Sequence, residues 1–293
     1  MSRRRAVLIW NPRAGQWRAR RALPEIRRIL EGEFDLALEP TSGPDHCREI
    51  ARRALAEGLD AFFVLGGDGT LRVAAGVLAG SDVAIGVIPG GTTNVVAGAL
   101  GLPAAPLAAA WALLEAAPIA MDLGRSGDDP FLMQLSGGLD ATVMANVSLP
   151  VKKFIGKGAV ALAGAREWLR YRFPRFALEI DGAAVEATGF VVANLPQYAG
   201  QFSILPQASA NDGKLDLLLF HGQRRRDAFG FAVDLARRRH LARADVEVRS
   251  FSHLRVTAPD ALQLQADGDA FVAAAPLTVT LAPQRLKILA PRN

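Results

Sequence analysis

The first third of the chain alternates between short apolar runs and longer stretches in which apolar positions recur every three or four residues. Residues 6–10, 34–39, 61–65 and 84–88 are mostly apolar runs of strand length, while 22–31, 44–57 and 71–79 carry the helical period. In 44–57, Cys47, Ile50, Ala51, Ala54 and Leu55 fall on one face and Arg48, Glu49, Arg52 and Arg53 on the other. Cys47 is therefore expected to be a buried filler and not a nucleophile. The alternation of strand and helix predicts a parallel, doubly wound sheet, an α/β domain over residues 1–124.

After Asp122-Leu123-Gly124 the pattern changes. Short strand-like runs at 131–135, 176–180, 189–194, 215–220, 254–257, 262–265 and 277–281 are separated by turn residues, notably Asp181-Gly182, Asn211-Asp212-Gly213 and Ala266-Asp267-Gly268-Asp269. These predict a mostly antiparallel, β-rich, sandwich-like domain over 125–293, with two helices near 158–171 and 227–239. Neither a repeat nor a low-complexity tract interrupts it.

Composition narrows the class. The 293 residues allow two domains with cores of their own, and at 50% hydrophobic the chain is not disordered. The only cysteine, Cys47, excludes an intrachain disulfide and a cysteine-based zinc cluster. The basic start, Ser2-Arg3-Arg4-Arg5, leads into an apolar run too short for a signal-peptide core. The longest apolar tract, 102–114, is broken by Pro103 and Pro106 and falls short of the ~20 residues that span a bilayer. A cytoplasmic protein without a transmembrane helix is expected. Net charge is +5, but it is unevenly placed. Residues 152–175 hold Lys152, Lys153, Lys157, Arg166, Arg170, Arg172 and Arg175 against Glu167 alone, and 224–243 hold seven arginines against Asp227 and Asp234. The remainder is net acidic, so the two basic blocks point to an anionic surface, phospholipid or nucleic acid. Phe154, Trp168, Tyr171 and Phe173 lie among the first set of cations, a mixture suited to a headgroup interface at the inner membrane face as well as to a solvated helix face. No RNA-binding motif appears, so nucleic acid is not expected as a partner.

Candidate chemistry collects in the loops that leave the predicted strands. In an open parallel sheet, ligands bind outside the carboxyl ends of the strands. Four loops lie there: Asn11-Pro12-Arg13-Ala14-Gly15, Thr41-Ser42-Gly43, Gly66-Gly67-Asp68-Gly69-Thr70, and Pro89-Gly90-Gly91-Thr92-Thr93-Asn94. Their glycines admit a bulky anion close to the main chain, and the start of the helix after Gly67 offers N–H groups, so phosphate is the expected guest. Asp68 would repel a polyphosphate unless a divalent cation such as Mg²⁺ or a transferable proton lies nearby. A P-loop is excluded, because neither Gly156-Lys157-Gly158 nor Gly213-Lys214-Leu215 has Ser or Thr after the lysine. His46, His221, His240 and His253 show no metal-binding spacing.

With Gly66–Thr70, Gly91–Asn94, Asp212-Gly213 and Asp267-Gly268-Asp269 in this order, the chain resembles the diacylglycerol kinase catalytic family, in its bacterial soluble lipid kinase branch. The resemblance implies an ATP-dependent lipid kinase whose active site lies in a cleft between a nucleotide domain and a lipid domain. It implies nucleotide contacts from Asn11, Thr41, Gly66, Gly67, Asp68, Gly69, Thr70, Leu71, Arg72 and Thr92. It further implies that Asp122 couples to Asp68 through a hydrated cation, and that Asp212, with the carbonyls of Ser209 and Lys214, holds a structural Mg²⁺. Asp267-Gly268-Asp269 stands where the family has Asp-Gly-Glu, so Asp267 and Asp269 are both candidate general bases. Three positions depart from the family pattern: Ala14 for a serine, Val95 for an aspartate, and Asp269 for a glutamate.

The expected reaction is transfer of the ATP γ-phosphate to a lipid hydroxyl, most simply of diacylglycerol, with transient contact to an anionic membrane and with a homodimer left open. Two other readings are carried forward. A soluble kinase of the NAD-kinase type shares the Gly-Gly-Asp-Gly loop but lacks here its Asn-Glu pair. A catalytically silent lipid-binding protein would account for Ala14, Val95 and Asp269.

Overall fold

The computed structural model describes residues 3–12, 17–146, 168–198 and 202–292. They form two compact units, Met1–Leu123 with Pro283–Asn293, and Gly124–Ala282. The first contains β1 (Arg4–Trp10), α1 (Trp17–Glu31), β2 (Phe34–Pro40), α2 (Pro44–Ala56), β3 (Ala61–Gly66), α3 (Asp68–Leu78), β4 (Ala84–Pro89), α4 (Val95–Ala99), α5 (Pro106–Leu114) and β5 (Ala117–Met121). β2, β1, β3 and β4 run parallel in that order across the sheet. Every residue of β3 and β4 is buried, which is why these strands read as unbroken apolar runs and not as alternating ones. Because β1 has β2 on one side and β3 on the other, the winding reverses there, the position at which open α/β sheets bind ligands. α2 buries Cys47, Ile50, Ala51 and Ala54 as its period predicts. Burial pushes the Cys47 thiol up to about 11.

The second unit contains β6 (Gly124–Ser126), β7 (Asp129–Phe131), β8 (Gln134–Gly137), α6 (Leu139–Asn146), β9 (Phe176–Ile180), β10 (Ala183–Ala187), β11 (Gly189–Ala193), β12 (Gln197–Tyr198), β13 (Phe202–Ser203) and β14 (Leu215–Phe220). A helix over Arg225–Ala236 follows, then β15 (Val246–Phe251), β16 (His253–Ala258), β17 (Ala261–Ala266), β18 (Asp269–Ala274) and β19 (Leu277–Leu281). Two six-stranded sheets result, β10-β9-β16-β19-β6-β7 and β15-β14-β11-β8-β17-β18, with neighbouring strands antiparallel. One core joins them: Phe176, Leu178, Leu254, Val256 and Val279 from the first sheet meet Leu135, Phe190, Val192, Leu217 and Leu264 from the second. The fold is thus an α/β domain with a parallel sheet and a β-rich antiparallel domain, as the sequence periods predict.

Two expectations are corrected. The second domain does not run to the end of the chain. The last strand, β20 (Leu286–Ala290), joins the sheet of the first unit, parallel to β4 and antiparallel to β5. Leu286, Ile288 and Leu289 are buried there, as suits a strand covered on both faces, and β4 and β5 would otherwise each present an open edge. The apolar run 131–135 is not one strand, because the N–H groups of Leu132 and Met133 bind the Asp267 carboxylate instead of a neighbouring strand. Of the helix expected near 158–171, residues 158–167 lie outside the described ones, and 168–170 are helical. Among the described residues, no helix is long and apolar enough to cross a membrane.

Candidate functional site

Three of the four predicted loops are tied to one another at the carboxyl ends of β1, β2 and β3. The Asn11 main-chain N–H donates to the Leu65 carbonyl at 3.2 Å, and its side-chain amide to the Thr70 hydroxyl at 3.1 Å. Thr41 is buried; its N–H donates to the Trp10 carbonyl at 2.9 Å and its hydroxyl to the Gly43 carbonyl at 2.9 Å. Gly67 precedes α3, and its carbonyl accepts from the N–H groups of Thr70 and Leu71, which turns the chain into the helix. Gly69, Thr70 and Arg72 follow in the first turns, with Gly69 exposed and Leu71 packed into the core.

The loop after β4 lies directly on this turn. Gly90 donates to the Gly66 carbonyl at 2.9 Å. A methyl group on Gly91 would stand 2.6 Å from the Gly67 Cα, so the two main chains touch at a distance no side chain permits. Asn94, with φ of 48°, closes the loop by bracketing Gly91: its amide oxygen accepts from the Gly91 N–H at 2.8 Å, and its amide nitrogen donates to the Gly91 carbonyl at 2.9 Å. Asp68 then fastens the far side. Only 8% exposed, it accepts from the N–H groups of Val95 at 2.9 Å and Val96 at 3.1 Å, and from the Thr93 hydroxyl at 3.4 Å. Burial pushes its carboxyl above the ordinary value, and the donors from Val95 and Val96 pull it back. The aspartate that looked out of place beside a phosphate loop thus holds the start of α4. Val95 contributes its N–H to that anchor and buries its side chain, while Thr92 remains exposed.

Asp122 is 1% exposed, and its carboxylate accepts from the Arg285 guanidinium at 2.5 Å. The sequence reading missed Arg285. The available signal was that a buried carboxylate needs a cation, but the partner lies 163 positions away and enters only with β20. Arg285→Gln is expected to lower stability by about 1–3 kcal/mol, the penalty for stranding a buried acceptor. An unchanged urea midpoint would mean that Asp122 is satisfied without it.

In the second unit, Asp267 and Gly268 are the two central residues of the β17–β18 hairpin, with φ of 52° and 88°. The Asp267 carboxylate accepts from the N–H groups of Leu132 at 2.7 Å, Met133 at 2.9 Å and Gln134 at 3.0 Å. Both its oxygens are committed to this turn. Asp269, the first residue of β18, is exposed. Ser209, Asp212 and Lys214 lie in the turn before β14, where the Lys214 N–H donates to Asp212 at 3.0 Å and the Ser209 hydroxyl donates to Asn211 at 2.7 Å. One carboxylate beside main-chain carbonyls is a hard, all-oxygen set that fits a hydrated Mg²⁺. Among the described residues no three Asp, Glu, His or Cys side chains converge on a common point.

Residues 5–126 match the family model described as "Diacylglycerol kinase catalytic domain", and residues 134–290 match "YegS C-terminal NAD kinase beta sandwich-like domain". The chain is 29% identical over 299 residues to a protein of Mycobacterium tuberculosis named "Diacylglycerol kinase", covering 99% of this chain and 96% of that protein. It is 34% identical over 226 residues to "Probable lipid kinase YegS-like" of Pseudomonas fluorescens, covering 74% and 73% of the two chains. Its fold is similar to that of a crystal structure described as a diacylglycerol kinase from Bacillus anthracis str. Sterne, with a TM-score of 0.73 and 18% identity over 99% of this chain and 98% of that one. With both parts of the chain matched by these family models and its length by these relatives, the chain belongs to the diacylglycerol kinase catalytic-domain family, in its bacterial lipid kinase branch.

Proposed function

We propose that this protein transfers the γ-phosphate of ATP to a lipid hydroxyl, with diacylglycerol as acceptor and phosphatidate as product. The observation that carries this reading is the pair of glycine loops in main-chain contact at Gly67 and Gly91, fastened by Asp68 beside the winding reversal of a parallel sheet. Such a floor leaves N–H groups and open space where a polyphosphate sits. Phosphoryl transfer needs positioning, charge neutralisation and a nearby base. Asn11, Thr41, Gly66–Thr70, Arg72 and Thr92 position the nucleotide. A Mg²⁺ held by Asp212 with the Ser209 and Lys214 carbonyls would be structural, and a hydrated cation shared by Asp68 and Asp122 would supply positive charge to the phosphates. Asp269 takes the proton from the acceptor hydroxyl, since Asp267 is spent on three N–H groups.

The lipid is met at a membrane surface. The Trp168 indole N–H donates to the Arg225 carbonyl at 2.9 Å and its ring packs 6.3 Å from that of Phe229. Phe229 is 62% exposed and Leu169 57%, with Arg170, Arg172, Arg224 and Arg226 beside them in the chain. Exposed apolar side chains among arginines complement an anionic leaflet, where each cation contributes ~1 kcal/mol.

The test is γ-labelled ATP with vesicles of diacylglycerol in phosphatidylglycerol, and NAD in a parallel reaction. Label in phosphatidate is the expected result. Label in NAD would move the protein to the soluble-kinase reading, and no label in either would favour a silent lipid-binding protein.

A further inference from the structure

The outer face of the sandwich sheet that carries β8 and β17 holds a polar chain that no step above uses. Tyr198 donates its hydroxyl to Asp140 Oδ2 at 2.9 Å, and Ser136 donates to the same oxygen through a very short contact. Gln265, the register partner of Ser136 across the β8–β17 ladder, donates its side-chain amide to the Ser136 hydroxyl at 2.6 Å. The Gln265 carbonyl oxygen in turn accepts the main-chain N–H of Gly268 at 2.8 Å. Ser136 and Gln265 are buried, and Asp140 lies in the first turn of α6, which packs across β8, β17 and β18. Met144 of that helix reaches within 3.9 Å of where a side chain on Gly268 would begin.

Every donor in this chain points the same way. Gly268 donates to Gln265, Gln265 to Ser136, and Ser136 and Tyr198 to Asp140. The sequence terminates on a group that only accepts, so Ser136 cannot turn its proton toward Gln265, and Gln265 must keep its oxygen toward Gly268. Reversal would set the Gln265 NH₂ against the Gly268 N–H, two donors face to face. The chain therefore ends on the hairpin residue immediately before Asp269 and fixes its main-chain N–H. Burial together with the adjacent Asp140 charge keeps the Tyr198 hydroxyl protonated far into the alkaline range, so it stays a donor.

We infer that Asp140 is a positioning residue: through Ser136 and Gln265 it locks the Asp267-Gly268 turn and so aims Asp269 at the acceptor hydroxyl. This rests on the kinase reading for its consequence, but the lock itself is a property of the hairpin. A misplacement of about 1 Å in a reacting group lowers rate by about 10²-fold. In the full-length protein, Asp140→Ala is expected to raise deuterium uptake in the 262–272 segment and to lower kcat for diacylglycerol by about a hundredfold with KM little changed. Ser136→Ala is expected to do the same, and the double variant to fall no further than either single one, because both cut one chain. Asp140→Asn keeps an oxygen acceptor for Ser136 and Tyr198 and is expected to restore most of the rate and the protection. Ser136→Ala, which cuts the same chain while leaving Asp140 in place, is the arm to read if Asp140→Ala does not fold.

Unchanged uptake in Asp140→Ala overturns the lock, as does an additive double variant or a loss confined to KM. If the wild-type protein phosphorylates no lipid, the kinase reading fails while the exchange measurement still decides on the lock.

Discussion

Asp269→Asn is expected to slow lipid phosphorylation by about 10²–10⁴-fold, the contribution of a positioned general base, at an unchanged melting temperature. Asp269 is exposed at the start of β18, where the change from carboxylate to amide faces solvent. Asp267→Asn should behave in the opposite way. The replacement tolerates the positive φ of that position, but an amide offers one acceptor oxygen where the carboxylate offers two. One of the Leu132, Met133 or Gln134 N–H groups is then left facing an NH₂, which lowers stability by about 1–3 kcal/mol. Its activity should follow the melting curve and recover at lower temperature. A full rate in Asp269→Asn, beside a slow and fully stable Asp267→Asn, would exchange the two assignments.

Asp68→Ala is expected to weaken both fold and nucleotide binding. It leaves the Val95 and Val96 N–H groups buried without an acceptor, at about 1–3 kcal/mol each, and releases the 91–94 loop from the turn it rests on. On the proposed reading, ATP affinity should fall with the urea midpoint, because the same contacts hold the 91–94 loop in place. Asp68→Asn, which keeps one oxygen, should lie between the two. A large loss of ATP affinity at an unchanged urea midpoint would instead make Asp68 a direct partner of the nucleotide or its cation.

The sequence made some of this legible for physical reasons. β3 and β4 announced themselves because a parallel strand buried on both faces has no polar residue to blur it, and Gly90 and Gly91 because main-chain contact leaves room for no other residue. β9, β14 and β19 lie at 176–180, 215–220 and 277–281, where alternation or an apolar run is framed by turn residues. What stayed hidden depended on partners far along the chain. Asp68 and Asp267 both sit in Asp-Gly pairs and read alike, yet one fastens a helix start 27 positions ahead and the other a strand break 133–135 positions behind. Asp140, Ser136 and Gln265 carry no motif at all. The polarity of Ser136 and Gln265 on a covered sheet face was the only sign, and it shows once the β8–β17 register is known.

The position of β20 has a consequence for how this chain is made. Leu286–Ala290 lies between β4 and β5, so the sheet of the first unit lacks an interior strand until residues 286–290 have emerged from the ribosome. The sandwich, whose strands are all translated by Ala282, can assemble earlier. The first unit is thereby completed after the second, and a fragment ending before Pro283 carries the glycine loops on a sheet with a gap in it.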